Sequence, residues 1–208
     1  MAVAEASEPP ARVVARAPEV AAVDLERRTH APSANERFIA IGSWGTMSEL
    51  KRLVEELRGN RDCSVEPARG QPVVDDGMLV PEDLREFYGR CGGVQLFPAR
   101  EYPFRIVGPH EVCRANPEVA GVSYSGDISD SWYIVGRGGR EEAISIDCDP
   151  LRIGRCYDSF WDRHGVAGDC AIVAMSFLEL LRRLVDAGGG HWFWLGADAP
   201  RYGDAYAR

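Results

Sequence analysis

The apolar period of this chain changes twice, and that restricts its fold more than any other feature. Between residues 46 and 91 hydrophobic side chains recur every three or four positions. From residue 94 onward they alternate or run in short blocks, and at residue 176 the helical spacing returns. Helices followed by a run of strands and then another helix make an α+β chain. The alternating order that builds a parallel sheet is absent. The expected fold is a mixed or mainly antiparallel sheet of about five to six strands packed by helices.

The first helix is expected over residues 46–58, with Thr46 and Glu49 as a capping box, Leu50, Leu53, Val54 and Leu57 as its stripe, and Gly59 as its stop. Pro81 is expected at the first turn of a second helix, whose stripe is Leu84, Phe87, Tyr88 and Cys91 and which ends at Gly92-Gly93. The last helix starts from a Ser176/Glu179 capping box. It carries Phe177, Leu180, Leu181, Leu184 and Val185, and it stops at Gly188-Gly189-Gly190. Strands are expected at Val94–Phe97, Phe104–Val107, Trp132–Val135, Ala143–Ile146 and Ile153–Tyr157, with a helical turn at Pro109–Val112 and a terminal strand at His191–Leu195. The Trp132–Val135 and Ala143–Ile146 pair reads as a hairpin around a glycine-rich loop, Gly136–Glu141. That loop lacks the spacing and the following Lys-Ser/Thr of a phosphate cradle and stands between two strands, so it reads as a solvated turn.

Residues 1–35 are rich in Ala, Pro, Glu and Arg and read as a flexible tail, with a short helix near 19–28. Residues 36–198 read as one domain opening on a short strand, Phe38–Ile41, and residues 199–208 as a frayed end. No run approaches the apolar length of a membrane span or the core of a signal peptide. The six cysteines, at 63, 91, 113, 148, 156 and 170, show no CxxC spacing. Buried, reduced thiols in a cytoplasmic protein without metal or other cofactor are therefore expected. Of the 24 cationic residues only Lys51 is a lysine, a usage that fits a high-GC, bacterial coding sequence.

The net charge is −8, which disfavours binding to nucleic acid or to an anionic membrane and favours a basic partner. The acid excess is local. Residues 111–170 sum to −5, with Trp132, Tyr133, Tyr157 and Trp161 interleaved among the carboxylates. Carboxylates steer encounter and aromatic side chains anchor contacts. Asp127, Asp130, Trp132, Asp147, Asp149, Asp158, Trp161 and Asp162 are therefore the expected partner-binding residues. Two other chemistries use residues of this segment. Asp147 and Asp149 at a strand end could hold a divalent cation, but further oxygen ligands are not evident. His164 stands near Asp158, Ser159 and Asp162 without a nucleophile elbow, so it reads as a structural histidine and no catalytic residue is expected.

The stretch Leu79-Val80-Pro81-Glu82-Asp83-Leu84-Arg85-Glu86-Phe87-Tyr88, followed by Gly92-Gly93-Val94-Gln95-Leu96-Phe97, resembles the signature of the SUKH superfamily, the Smi/Knr-type domain. The likeness continues through Tyr102-Pro103-Phe104-Arg105-Ile106, Ile144-Ser145-Ile146-Asp147 and the Ser176-Phe177…Leu180-Leu181 helix, covering roughly residues 46–195. The resemblance implies an α+β fold and a binding role. Bacterial members are mostly immunity proteins against toxins, often nucleases, and fungal relatives are regulatory interaction hubs. It supplies no catalytic residue. The expectation is a non-enzymatic immunity protein covering a toxin's basic site, with a regulatory scaffold or a metal-dependent enzyme as alternatives.

Overall fold

A computed structural model describes residues 48–139, 141–197 and 199–207. The expected tail at 1–35, the strand at Phe38–Ile41 and the Thr46 cap lie outside the described residues. Among those described, eight strands form one antiparallel sheet and four α-helices pack with it.

Helix α1 is Glu49–Gly59; Ser48 caps it, its hydroxyl accepting from the Lys51 N–H at 3.1 Å. Gly59 is the last helical residue, and the extended Asn60 ends the helix. In α2 (Glu82–Arg90), Pro81 is the extended cap residue and lies outside the helical turns. The Asp83 carboxylate accepts from the Leu84 N–H and, from across the fold, the Leu178 N–H, each at 2.9 Å. It thereby ties α2 to the start of α4 (Phe177–Ala187). Ser176 caps α4 as expected, but Glu179 reaches the Met175 N–H instead of completing the box on Ser176. Gly188 stops the helix in the left-handed conformation at φ 58°.

The strands are β1 (Cys63–Val65), β2 (Val94–Leu96), β3 (Phe104–Ile106), β4 (Cys113–Arg114), β5 (Trp132–Gly138), β6 (Glu142–Asp147), β7 (Cys156–Asp158) and β8 (Ile172–Ala174). The sheet runs β1-β2-β3-β5-β6-β7-β8. β4 pairs with the part of β5, Tyr133–Ile134, that β3 leaves open. β1, β4 and β8, two or three residues each, lie outside every strand expected from the sequence. Helix α3 (Ala115–Ala120) follows β4 directly. Ile153 belongs to the turn before β7, and His191–Leu195 contains a 3-10 turn, Phe193–Leu195, where a strand was expected.

The first half of the glycine-rich segment, Gly136–Gly138, is strand. Phe104 and Trp192 explain why: a Cβ on Gly136 would sit 2.4 Å from the Phe104 ring, and one on Gly138 would sit 2.4 Å from the Trp192 ring. The glycines make room for rings packed on the sheet. A bulge between Ile134 and Gly136 offsets the β5–β6 register.

Both faces of the sheet are covered. Tyr133, Val135, Ile144 and Ile146 join α1, α2 and α4 in the larger core. Trp132, Ile134, Tyr157 and Ile172 join Ala115 in a second core under α3 and the C-terminal residues. The end expected to fray is hydrogen-bonded along β8: the Ile172 N–H donates to Gly203 at 3.0 Å, and the Ala205 N–H donates to Cys170 at 2.8 Å. All six cysteines are free thiols, and burial pushes those of Cys148 and Cys170 up to about 12. Among the described residues no helix is long and apolar enough to cross a membrane.

Candidate partner-binding surface

The two-sided burial of the sheet divides the expected acidic and aromatic surface. Trp132 is wholly buried, stacked on Tyr157 with ring centroids 4.0 Å apart. Asp147 is also wholly buried. Its carboxylate accepts from Ser131 Oγ at 2.7 Å and from the Asp149 N–H, Arg152 Nε and Tyr157 OH at 2.9 Å each. Four donors leave no capacity for a cation. Asp158 is buried under Arg163, whose Nε donates to it at 2.8 Å. These three residues build the fold and present nothing to a partner, because a carboxylate inside a protein persists only where donors surround it.

The remaining five residues fall into two groups. Asp127, Asp130 and Asp149 line one depression of about 270 Å³, together with Met78, Ser131 and Arg152. Arg114 pairs with Asp130 at 2.6 Å, and Arg152 pairs with Asp149 at 3.1 Å. Burial works against the charge on Asp127, but hydrogen bonds from Ser129 and Tyr206 outweigh it and hold the carboxyl below the usual range. Trp161 and Asp162 form the second group, after β7. There Asp158 stands opposite Ile144, whereas Asp149 follows the other end of β6. Trp161 is 62% exposed, and the one ion pair of Asp162 among the described residues is with Arg163, at 3.5 Å.

His164 is buried edge-on against Trp132 of the second core, with ring centroids 5.6 Å apart. Its Nδ1 lies 3.0 Å from Ser159 Oγ, its Nε2 lies 2.8 Å from Asn116 Oδ1, and Ser145 continues the chain to Ser159 at 2.7 Å. With the Asn116 oxygen as acceptor, Nε2 carries the proton and Nδ1 accepts from the serine hydroxyl. The order of groups is that of a nucleophile, a base and an orienter. Ser159 is wholly buried, however, so its hydroxyl meets no substrate from solution. Burial holds His164 down at about 4, from an ordinary value of 6.5, against a small opposing pull from Asp127. Between those values the unfolded chain binds a proton that the folded chain refuses, so stability falls as pH drops from 6.5 toward 4. His164→Gln is expected to flatten that pH dependence of the melting temperature by an amount equivalent to about 3 kcal/mol. Parallel melting curves for variant and parent across this window would show that His164 is not responsible.

A second concavity was not legible as a site. It is a groove of about 880 Å³ between the segment 71–80, the first turns of α2, the turn at Ile153-Gly154 and the junction at Met175-Ser176. Leu79, Ile153 and Met175 line it and are 51%, 39% and 43% exposed. Met78 lines both the groove and the acidic depression, so the two adjoin. The sequence hint is faint: Leu79 lies outside every periodic stripe, and Ile153, expected in a strand, lies in the turn before β7.

No known family profile matches the chain, and no solved structure matches it. Among curated proteins, immunity protein YokJ of Bacillus subtilis (strain 168) is 43% identical over 157 residues, an alignment covering 76% of this chain and 95% of that protein. With that identity over three quarters of its length, the chain belongs to the family of immunity protein YokJ.

Proposed function

We propose that this protein is a SUKH-type immunity protein that neutralises a cognate toxin by one-to-one binding, without chemistry of its own. The acidic depression of Asp127, Asp130 and Asp149 meets a basic site on the toxin, as a nuclease active site would be. The observation that carries this reading is the meeting of three carboxylates and one guanidinium at a concave surface, in a chain related to an immunity protein. The helix-strand order through Leu79–Tyr88 and Gly92–Leu96 supports the SUKH assignment. Six unpaired thiols fit a reducing, cytoplasmic setting.

The test is to isolate the partner by co-purification from the native host and to co-express it with this chain, followed by binding kinetics at two salt concentrations. The parent is expected to restore growth and to bind one to one. Replacing Asp130 and Asp149 with Asn is expected to slow association about tenfold at low salt and to flatten the salt dependence, because such charges act mainly on encounter. Trp161→Ala and Asp162→Asn test the second acidic-aromatic group in the same assay. If the double Asn variant associates like the parent at both salts, the depression is not the toxin's docking site.

A further inference from the structure

We infer that the apolar groove beside the depression is a docking site for an amphipathic, basic helix of the partner. The inference rests on the immunity reading and extends it from the charged depression to a second contact. Single exposed apolar side chains are ordinary on a protein surface. Here Leu79, Ile153 and Met175 converge on one concavity from three separate segments.

The charge of the walls selects the occupant. Glu82, Asp83 and Glu86 line the groove against one cation, Arg85. Asp83 is committed to the backbone N–H groups of Leu84 and Leu178, and Glu86 to Arg90 and Ser48. Glu82 is exposed and has no ion pair among the described residues. Met78 lines both the groove and the depression of Asp127, Asp130 and Asp149, so the two are adjacent. On the α2 side Arg85 is, like Glu82, exposed and without an ion pair among the described residues, so that wall is mixed in charge. A ligand lying along the groove thus meets an apolar floor, this mixed wall and the carboxylates of the depression at the Met78 side. Of these, Asp127 has no cation paired to it among the described residues. An apolar stripe with cations toward that side fits it.

The backbone around the groove selects a helix. The lining comes from an irregular segment, helical turns, a tight turn and a strand-to-helix junction. It contains no strand edge with open N–H and C=O groups, so an extended peptide would have no ladder to join. A helix satisfies its own backbone and offers only side chains, which this surface can accept.

The experiment uses the full chain and two probes. The first is the toxin isolated by co-purification from the native host. The expected result is that Ile153→Glu and Met175→Glu, both at exposed positions and both checked for parental melting, weaken its binding about tenfold or more through faster dissociation. The second probe is a synthetic helical peptide of Leu and Lys, with a Leu and Glu peptide of the same length as its counterpart. The Lys peptide is expected to shift the backbone amide resonances of Gly154 and Ser176, and the Glu peptide is not. Groove variants that bind the toxin as the parent does, or equal shifts from both peptides, overturn the inference. So does a change in the association state of the chain alone in Ile153→Glu, which would make a second copy the occupant. A parent chain that neither binds the toxin nor protects cells removes the immunity reading itself. Binding by the parent with unaffected groove variants removes only the groove.

Discussion

Phe87→Ala is expected to lower the free energy of unfolding by about 3–5 kcal/mol, the range for emptying an aromatic site in a core. Phe87 is wholly buried on α2 and sits between two other rings: Tyr88, with centroids 5.2 Å apart, and Phe177 of α4, at 4.9 Å, both edge-on. Its neighbours cannot collapse into the gap. Tyr88 is pinned by its hydroxyl, which donates to the Val107 carbonyl at 2.9 Å. Phe177 is fixed at the first turn of α4 by the Ser176 cap and by the bond from Leu178 to Asp83. The loss therefore includes both the transfer of the ring and a persistent cavity. Urea unfolding with an unchanged slope and a lower midpoint is the expected readout. Leu151→Ala, at a side chain 87% exposed, serves as the control and is expected to stay within about 0.5 kcal/mol of the parent. If Phe87→Ala melts with that control, the Phe87 ring does not join α2 to α4.

Arg152→Met is expected to cost about 3–5 kcal/mol, for an electrostatic reason. The guanidinium reaches Asp147 at 2.9 Å, Ser131 Oγ at 3.2 Å and Asp149 at 3.1 Å. Methionine keeps most of the stem and removes the charge. Asp147 then keeps its hydrogen bonds from Ser131, Tyr157 and the Asp149 backbone, but it becomes a wholly buried anion with no cation beside it. Desolvation that the pair offset is then uncompensated. Adding Asp147→Asn to Arg152→Met is expected to recover a large part of the loss, because a neutral amide tolerates the site better than an orphaned carboxylate. The measurement is a double-mutant cycle by thermal or urea unfolding. If Arg152→Met melts like the parent, the Asp147–Arg152 pair contributes nothing and the turn that leads into the groove is held by other contacts.

The helices were legible because an amphipathic stripe is written into local spacing. Leu50, Leu53, Val54 and Leu57 of α1, and Phe177, Leu180, Leu181 and Leu184 of α4, are all buried as the 3.6 period predicts. The β5–β6 hairpin was legible for the opposite reason. Strands buried on both faces read as continuous apolar runs, and Trp132–Val135 and Ala143–Ile146 are such runs. Its loop was misjudged because Gly136 and Gly138 have the local character of a turn. Only the rings of Phe104 and Trp192, each more than 30 residues away in the chain, make glycine necessary inside a strand.

The candidate site was legible only as a composition. The sequence by itself determined that residues 111–170 carry the acid excess, that aromatic residues lie among it, and that helices enclose a run of strands on either side in the chain. It did not determine which carboxylates face water. Asp147 and Asp149 are two residues apart, yet one is wholly buried and the other lines an open depression. Asp158 and Asp162 divide in the same way, the first buried and the second exposed. The physical reason is that burying a carboxylate requires donors converging from several segments, here Ser131, Arg152 and Tyr157 around Asp147. Tertiary structure also decided that the second face of the sheet is covered, which put Trp132 inside. It gathered Leu79, Ile153 and Met175 into one groove, a convergence that no local window of the chain contains.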